Sequence, residues 1–215
     1  SEDGRNDLAV TNTGSNTVSS GSVTYTAAAS VLNQGNPLTM SGGAANFNSD
    51  EAITPTTLNL SGGTLGGSDM VTANGAFNWT GGTMSGSGVT FANGGLTMSG
   101  GTKTLSGRTL VNTATATWSA GQLNTGGGSV LSNAPSGTFD ISFDATEGNV
   151  GGARTIANAG LFRKTGGTGA ATLAAVFNNT GTVEVQSGIL SLNGGGTSTG
   201  TFTDTVGATL DFGGG

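Results

Sequence analysis

The 215-residue sequence contains no cysteine and no histidine. Without cysteine there is neither a disulfide framework nor a thiolate metal site. Without histidine the commonest general base is missing, and the Ser-His-Asp triad and imidazole metal sites go with it. Charge is scarce too: charged residues make up 8% of the chain, against roughly 25% in an average soluble domain. The six basic residues are scattered and the pI is near 4.2, which argues against nucleic acid, because phosphate neutralisation needs clustered Lys and Arg. No apolar run approaches the ~18 residues that cross a bilayer, so no membrane insertion is expected of this segment. The first residues, Ser1 to Asp7, carry no signal-peptide pattern. With only three Pro, a stiff polyproline linker is excluded as well.

Glycine is what the chain has in quantity, 42 residues of it, together with Ser, Thr and Asn. Such a composition fits disorder when hydrophobicity is low and net charge high. Here hydrophobic residues reach 33% and the net charge is only −6, so order is expected if the apolar residues recur with a period.

They do recur. Leu58-Asn59-Leu60-Ser61-Gly62-Gly63-Thr64 returns as Phe77-Asn78-Trp79-Thr80-Gly81-Gly82-Thr83 and as Leu96-Thr97-Met98-Ser99-Gly100-Gly101-Thr102. Weaker copies begin at Leu38 and Ala116. The Ser or Thr that opens each turn falls at 41, 61, 80, 99 and 119, in steps of 20, 19, 19 and 20. Later copies at Phe139, Phe162, Val183 and Phe202 drift to longer spacings, so coils of about 19–23 residues tolerate insertions. Two further apolar landmarks accompany each motif. Upstream lie segments such as Val71 to Asn74, Val89 to Asn93, Leu110 to Asn112 and Val130 to Asn133; downstream lie Leu65, Met84, Leu105 and Leu123.

Each period thus carries three short apolar segments separated by Gly, Asn or Ser turns. Within a motif the apolar residues sit at i and i+2, the strand period, and nothing shows the 3.6-residue recurrence of a helix. A strand of three or four residues becomes stable only when the equivalent segment of the next coil stacks on it at about 4.8 Å and continues its hydrogen bonds. The expected fold is therefore all-β: a right-handed parallel β-helix (β-solenoid) with three short strands per coil. Residues 1–37, which lack the Ser-Gly-Gly turn, are expected to form an irregular coil or cap, and 38–215 the repeats. The strand-like Thr209-Leu210-Asp211-Phe212 near the C-terminus leads to the expectation that the repeats continue beyond it or that copies stack end to end.

Stacking predicts columns. One inward column runs through Leu38, Leu58, Phe77, Leu96, Ala116, Phe139, Phe162, Val183 and Phe202, the other through Met40, Leu60, Trp79, Met98, Trp118, Ile141 and Val185. Between them an outward column holds Thr39, Asn59, Asn78, Thr97, Thr117, Asp140, Arg163, Glu184 and Thr203. Its alternating Asp140, Arg163 and Glu184 agree with this register, since unlike charges on neighbouring strands attract by about 0.2–1 kcal/mol. The register also places Lys164 and Asp204 in the second inward column, where an unpaired charge is very unfavourable; both are expected at a coil corner, reaching solvent. For Asn74, Asn93, Asn112 and Asn133 two readings stand, an inward hydrogen-bonded ladder and a plain turn preference.

The Ser-Gly-Gly-Thr turns, Phe177-Asn178-Asn179-Thr180-Gly181-Thr182-Val183-Glu184-Val185 and Ser187-Gly188-Ile189-Leu190-Ser191-Leu192 resemble repeats of large bacterial surface proteins of the autotransporter and filamentous haemagglutinin type. The resemblance covers about three quarters of the chain, Leu58 to Phe212. It implies export to the surface, a β-helical stalk, and roles in adhesion, matrix or appendage formation; it transfers no catalytic residue.

Candidate chemistry is thin. The densest polar group is Asp140, Asp144 and Glu147 with Arg154 and Arg163, on one of the longest coils. Carboxylates so placed suit Ca²⁺ or a glycosidase acid–base pair, but a solvated charged loop is the expected reading, as it is for Asp50 and Glu51. Gly66-Gly67-Ser68-Asp69 matches a calcium-binding nonapeptide only in part, and the Gly runs lack the helix that a phosphate loop requires. No cofactor, metal or catalytic residue is expected. The favoured function is a structural or adhesive rod, outside the cell or on its surface, whose partners are neighbouring repeats, further copies or surface glycans. The alternatives are a polysaccharide-binding or polysaccharide-cleaving β-helix, an ice-binding face and a trimeric phage tail-spike shaft.

Overall fold

The computed structural model describes residues 11–12, 14–26, 33–34 and 36–213. Among them there is no helix; short parallel strands stack into a β-solenoid of about nine turns. Stacking is carried by backbone hydrogen bonds between equivalent segments of successive coils, so each three- or four-residue strand becomes part of a long ladder.

The first face is built from the opening halves of Leu38–Asn48 and Leu58–Gly67, then Phe77–Trp79, Leu96–Met98, Thr115–Trp118, Thr138–Ile141, Leu161–Lys164, Thr182–Val185 and Thr201–Asp204. Its register pairs Leu58 with Phe77, Phe77 with Leu96, Leu96 with Ala116 and Ala116 with Phe139, and the column continues through Phe162 and Val183 to Phe202. Leu60, Trp79, Met98, Trp118 and Ile141 form the second column, and all five are buried. Asn16–Val18 stacks on the same face, with Asn16 opposite Leu38, and Ser22–Thr26 pairs with the closing half of Leu38–Asn48.

The second face holds that closing half, the end of Leu58–Gly67, Gly82–Ser85, Lys103–Ser106, Leu123–Gly126 and Glu147–Asn149. A separate three-stranded sheet, Ala170–Leu173, Ile189–Leu192 and Thr209–Asp211, follows it. The third face is a six-stranded sheet of Val71–Ala73, Val89–Ala92, Thr109–Asn112, Ser129–Asn133, Arg154–Asn158 and Val176–Asn179.

The three faces enclose one continuous apolar core, and aromatic rings stack along it. Phe139 and Phe162 lie 5.1 Å apart with planes 3° from parallel, an arrangement that adds about 0.5–1.5 kcal/mol to simple burial. The corners are glycine-dependent where the chain turns from the first face to the second. Gly63 has φ +66°, and a Cβ there would meet the Gly42 carbonyl carbon at 2.5 Å, so any side chain at this position pushes two coils apart.

The placements of Leu123 and Lys164 differ from the sequence expectation, and the two readings open for the asparagines divide between positions, Asn112 and Asn133 facing inward and Asn74 and Asn93 lying at exposed turns. Leu123 pairs with Lys103, while Leu105 pairs with Thr125, so Leu123 lies two residues out of the Leu65, Met84, Leu105 column; Gly-rich corners of unequal length move the count. Lys164 occupies the second inward column opposite Ile141 and Val185 and is fully buried, not solvent-reaching, while Asp204 in the same column is exposed. Asn74 and Asn93 are exposed and lie outside the inward Asn column, because Ala73 and Ala92 take the position that Asn112 fills one coil later.

Candidate functional site

Polar side chains enter the interior at each of the three corners, and each corner uses a different device. Between the third face and the first, Asn112, Asn133, Asn158 and Asn179 stack in register, all buried. The Asn112 amide donates to Asn133 Oδ1 at 2.9 Å, Asn133 to Asn158 at 2.8 Å, and Asn158 to Asn179 at 2.8 Å. Asn179 continues the chain to Ser198 Oγ at 3.3 Å. The same amides donate to corner carbonyls such as Gly137 and to the first-face carbonyls of Thr138, Leu161 and Thr182. At the ladder's upper end, Asn112 Oδ1 is buried with no hydrogen-bond partner, since its neighbour in the preceding coil is Ala92.

Lysines fill the corner between the first and second faces. Lys103 is completely buried, and its ammonium donates to the carbonyls of Ser99, Gly101 and Ala120 at 3.0, 2.7 and 2.9 Å. Three acceptors match the three N–H bonds of an ammonium. No carboxylate pairs with it among the described residues, and desolvation lowers its pKa to about 8. Lys164 reaches the equivalent corner of a later coil from the opposite side, donating to the Gly166 carbonyl at 2.6 Å and to Asp144 Oδ1 at 3.2 Å.

Arg108 serves the corner between the second and third faces. Its buried guanidinium donates to Thr90 Oγ1 at 2.7 Å and to the carbonyls of Gly67 at 3.0 Å and Asp69 at 2.7 Å, so one side chain ties together backbone from several coils. Burial lowers its pKa to about 10, opposed by the Asp69 carboxylate. Gly88 makes room for it, because a Cβ there would stand 2.7 Å from Arg108 Nη1. Asp69 in turn accepts from the Ser49 amide and hydroxyl, each at 2.7 Å.

The charged group singled out in the sequence comes together as separate pairs. Asp140 meets Arg163 Nε at 3.7 Å and accepts from Thr165 Oγ1 at 2.7 Å; Asp144 is held by Lys164. Glu147, almost fully buried, meets Arg154 Nε at 3.1 Å and accepts from the Thr125 hydroxyl and the Ala174 amide. Glu184 stacks on Arg163 in register and accepts from Gln186 Nε2 at 3.1 Å. Among the described residues no group of three or more carboxylates is placed to hold a metal ion.

Beside these pairs lies a cleft that the repeat pattern does not disclose. The excursion 142–146 leaves the first face after Ile141 and is pinned by buried Ala145. It carries Phe143 to the surface, with the ring edge-on to Trp118 at 5.6 Å and 74°. Phe143, Asp144 and Thr146 line one wall and Gly121 and Gln122 of the preceding coil the other, around about 310 Å³. Trp118 is fixed in place by donating its indole N–H to the Gly121 carbonyl at 2.9 Å. Lys103, Arg108 and Phe143 were not singled out from sequence. The first two sit next to Gly-rich corners, which is the one signal that marks them.

Comparison with protein-family models, curated proteins and solved structures returns no match for this chain.

Proposed function

We propose that this chain is a structural, adhesive rod segment of a secreted or cell-surface bacterial protein, a stalk, fibre or adhesin shaft like the autotransporter and haemagglutinin repeats its sequence resembles, and not an enzyme. The observation that carries the reading is the unbroken first-face register from Leu38 to Phe202. A parallel ladder of that kind propagates coil upon coil, so its partners in this reading are neighbouring repeats or further copies of the same chain. The interior chemistry supports the same view. The buried amides, Lys103 and Arg108 bind carbonyls or amides of adjacent coils, Lys164 binds the Asp144 carboxylate of the coil before it, and Glu147 is closed off from any substrate by its own partners.

Electron microscopy of the parent assembly tests the rod: filaments or stalks of constant width are expected, and compact isolated globules would overturn it. Labelling intact cells of the source bacterium with an antibody to this segment tests the location, with surface signal expected. Signal that appears only after permeabilisation would refute it.

A further inference from the structure

We propose that the cleft between Gly121-Gln122 and the excursion 142–146 binds a neutral sugar unit on the flank of the rod. The argument starts from how a pyranose presents itself: one apolar face of C–H groups, rimmed by hydroxyls that each donate and accept. A site for it needs an aromatic surface at the base and a few polar groups at the edge.

The cleft has both. The Phe143 ring is partly exposed and is held by its edge-to-face contact with the buried Trp118. Holding an aromatic wall in place before the ligand arrives lowers the ordering cost of binding. Gln122 and Thr146 are exposed, and among the described residues neither side chain has a hydrogen-bond partner within the protein. They offer an amide donor and acceptor and a hydroxyl, the groups that complement a sugar hydroxyl. Asp144 adds a carboxylate that is 45% exposed and oriented by Lys164 Nζ at 3.2 Å and the Gly169 amide at 3.0 Å.

Size and charge narrow the ligand further. About 310 Å³ lies at the small end of the ~300–1,000 Å³ range of ligand clefts, enough for one or two sugar residues of a chain passing across the rod. No cation lines the cleft, and the half-exposed Asp144 carboxylate beside it is held by Lys164 and the Gly169 amide of the following coil, so an acidic sugar finds no counter-charge and a neutral one needs none. The site is independent of the rod reading: either stands if the other fails.

Titration of the ¹⁵N-labelled protein with glucose, galactose, mannose, N-acetylglucosamine and short β-linked oligosaccharides, followed by amide chemical shifts, tests the proposal. Saturable millimolar shifts confined to Gly121, Gln122 and residues 143–146 are expected for at least one neutral sugar. Phe143→Leu, which keeps an apolar contact for Trp118, should weaken that binding about tenfold. Gln122→Ala, an exposed change, should weaken it about fivefold with the melting temperature unchanged. Glucuronate should bind several-fold more weakly than glucose. Absence of a saturable shift with every sugar, shifts that persist undiminished in both variants, or glucuronate binding as well as glucose would overturn the assignment.

Discussion

The coils before Asn112 and those after it share one backbone plan but fill it differently. In the earlier coils the inward corner position of the third face is occupied by Ala73 and Ala92, with Leu60, Trp79 and Met98 across the core. In the later coils the same position holds Asn112, Asn133, Asn158 and Asn179, while buried charge occurs on both sides of the change, as Asp69, Lys103 and Arg108 before it and Glu147 and Lys164 after it. The backbone register passes from one interior to the other without interruption. Inter-coil hydrogen bonding therefore sets the period, while the side chains need only be satisfied locally, by apolar contact or by a partner one coil away.

Arg108 lies near the boundary and offers the largest way to break the comparison. Arg108→Ala leaves a cavity and removes the donor shared by Thr90, Gly67 and Asp69; a loss of about 4 kcal/mol is expected. That is a fall of roughly 10 °C in melting temperature for a chain of this size. Hydrogen exchange should show the loosening centred on the coils of residues 67–109, and uniform loosening would show that the two halves melt as one unit.

Lys103 gives a pH-dependent contrast. Its folded pKa of about 8 lies below the ordinary 10.5. Between those values the unfolded chain keeps a proton that the folded chain has released, so stability rises with pH. Below pH 8 both states are charged and the full cost of burial is present. The expected gain from pH 8 to 10.5 is on the order of 3 kcal/mol, measured by denaturant midpoints across that range. Lys103→Met should flatten this rise, and a rise that survives the substitution would place its origin elsewhere.

Within the ladder, Asn133→Ala leaves the buried Asn158 Oδ1 without its donor and takes one acceptor from the Asn112 amide. A loss of about 2–3 kcal/mol is expected by thermal denaturation. Ala92→Asn sharpens the comparison in the opposite direction by giving Asn112 Oδ1 the donor it lacks. An increase of about 1 kcal/mol is expected; a decrease would mean that the earlier coils are too narrow at that corner for an amide.

The first-face columns were legible in sequence because a 19- or 20-residue repeat with large side chains at i and i+2 leaves one register that buries them all, and Leu58, Trp79 and Met98 lie where that register puts them. Where corners change length, the count misleads. Val71 precedes Asn74 by three residues, whereas Leu110 precedes Asn112 by two. The shared letter N conceals opposite orientations: Asn74 faces water and Asn112 the interior. The fate of Lys164 was hidden for another reason. Whether a lysine is tolerated inside depends on how many carbonyls converge at the corner beside it, and that is a property of folded backbone. Phe143 escaped notice because it lies in an excursion outside the repeat.

The four ladder asparagines are interchangeable rungs, each donating in the same sense to the next. Excision of residues 134–158 would set Asn133 directly against Asn179 and join its strand to the same Ala-Gly-Leu corner that follows Asn158. The shaft would shorten by one storey of about 4.8 Å with its amide ladder unbroken, although Lys164 and Thr125 would lose Asp144 and Glu147. Such a molecule is free to vary in length by gaining or losing whole storeys wherever the charged side chains at its corners keep their partners.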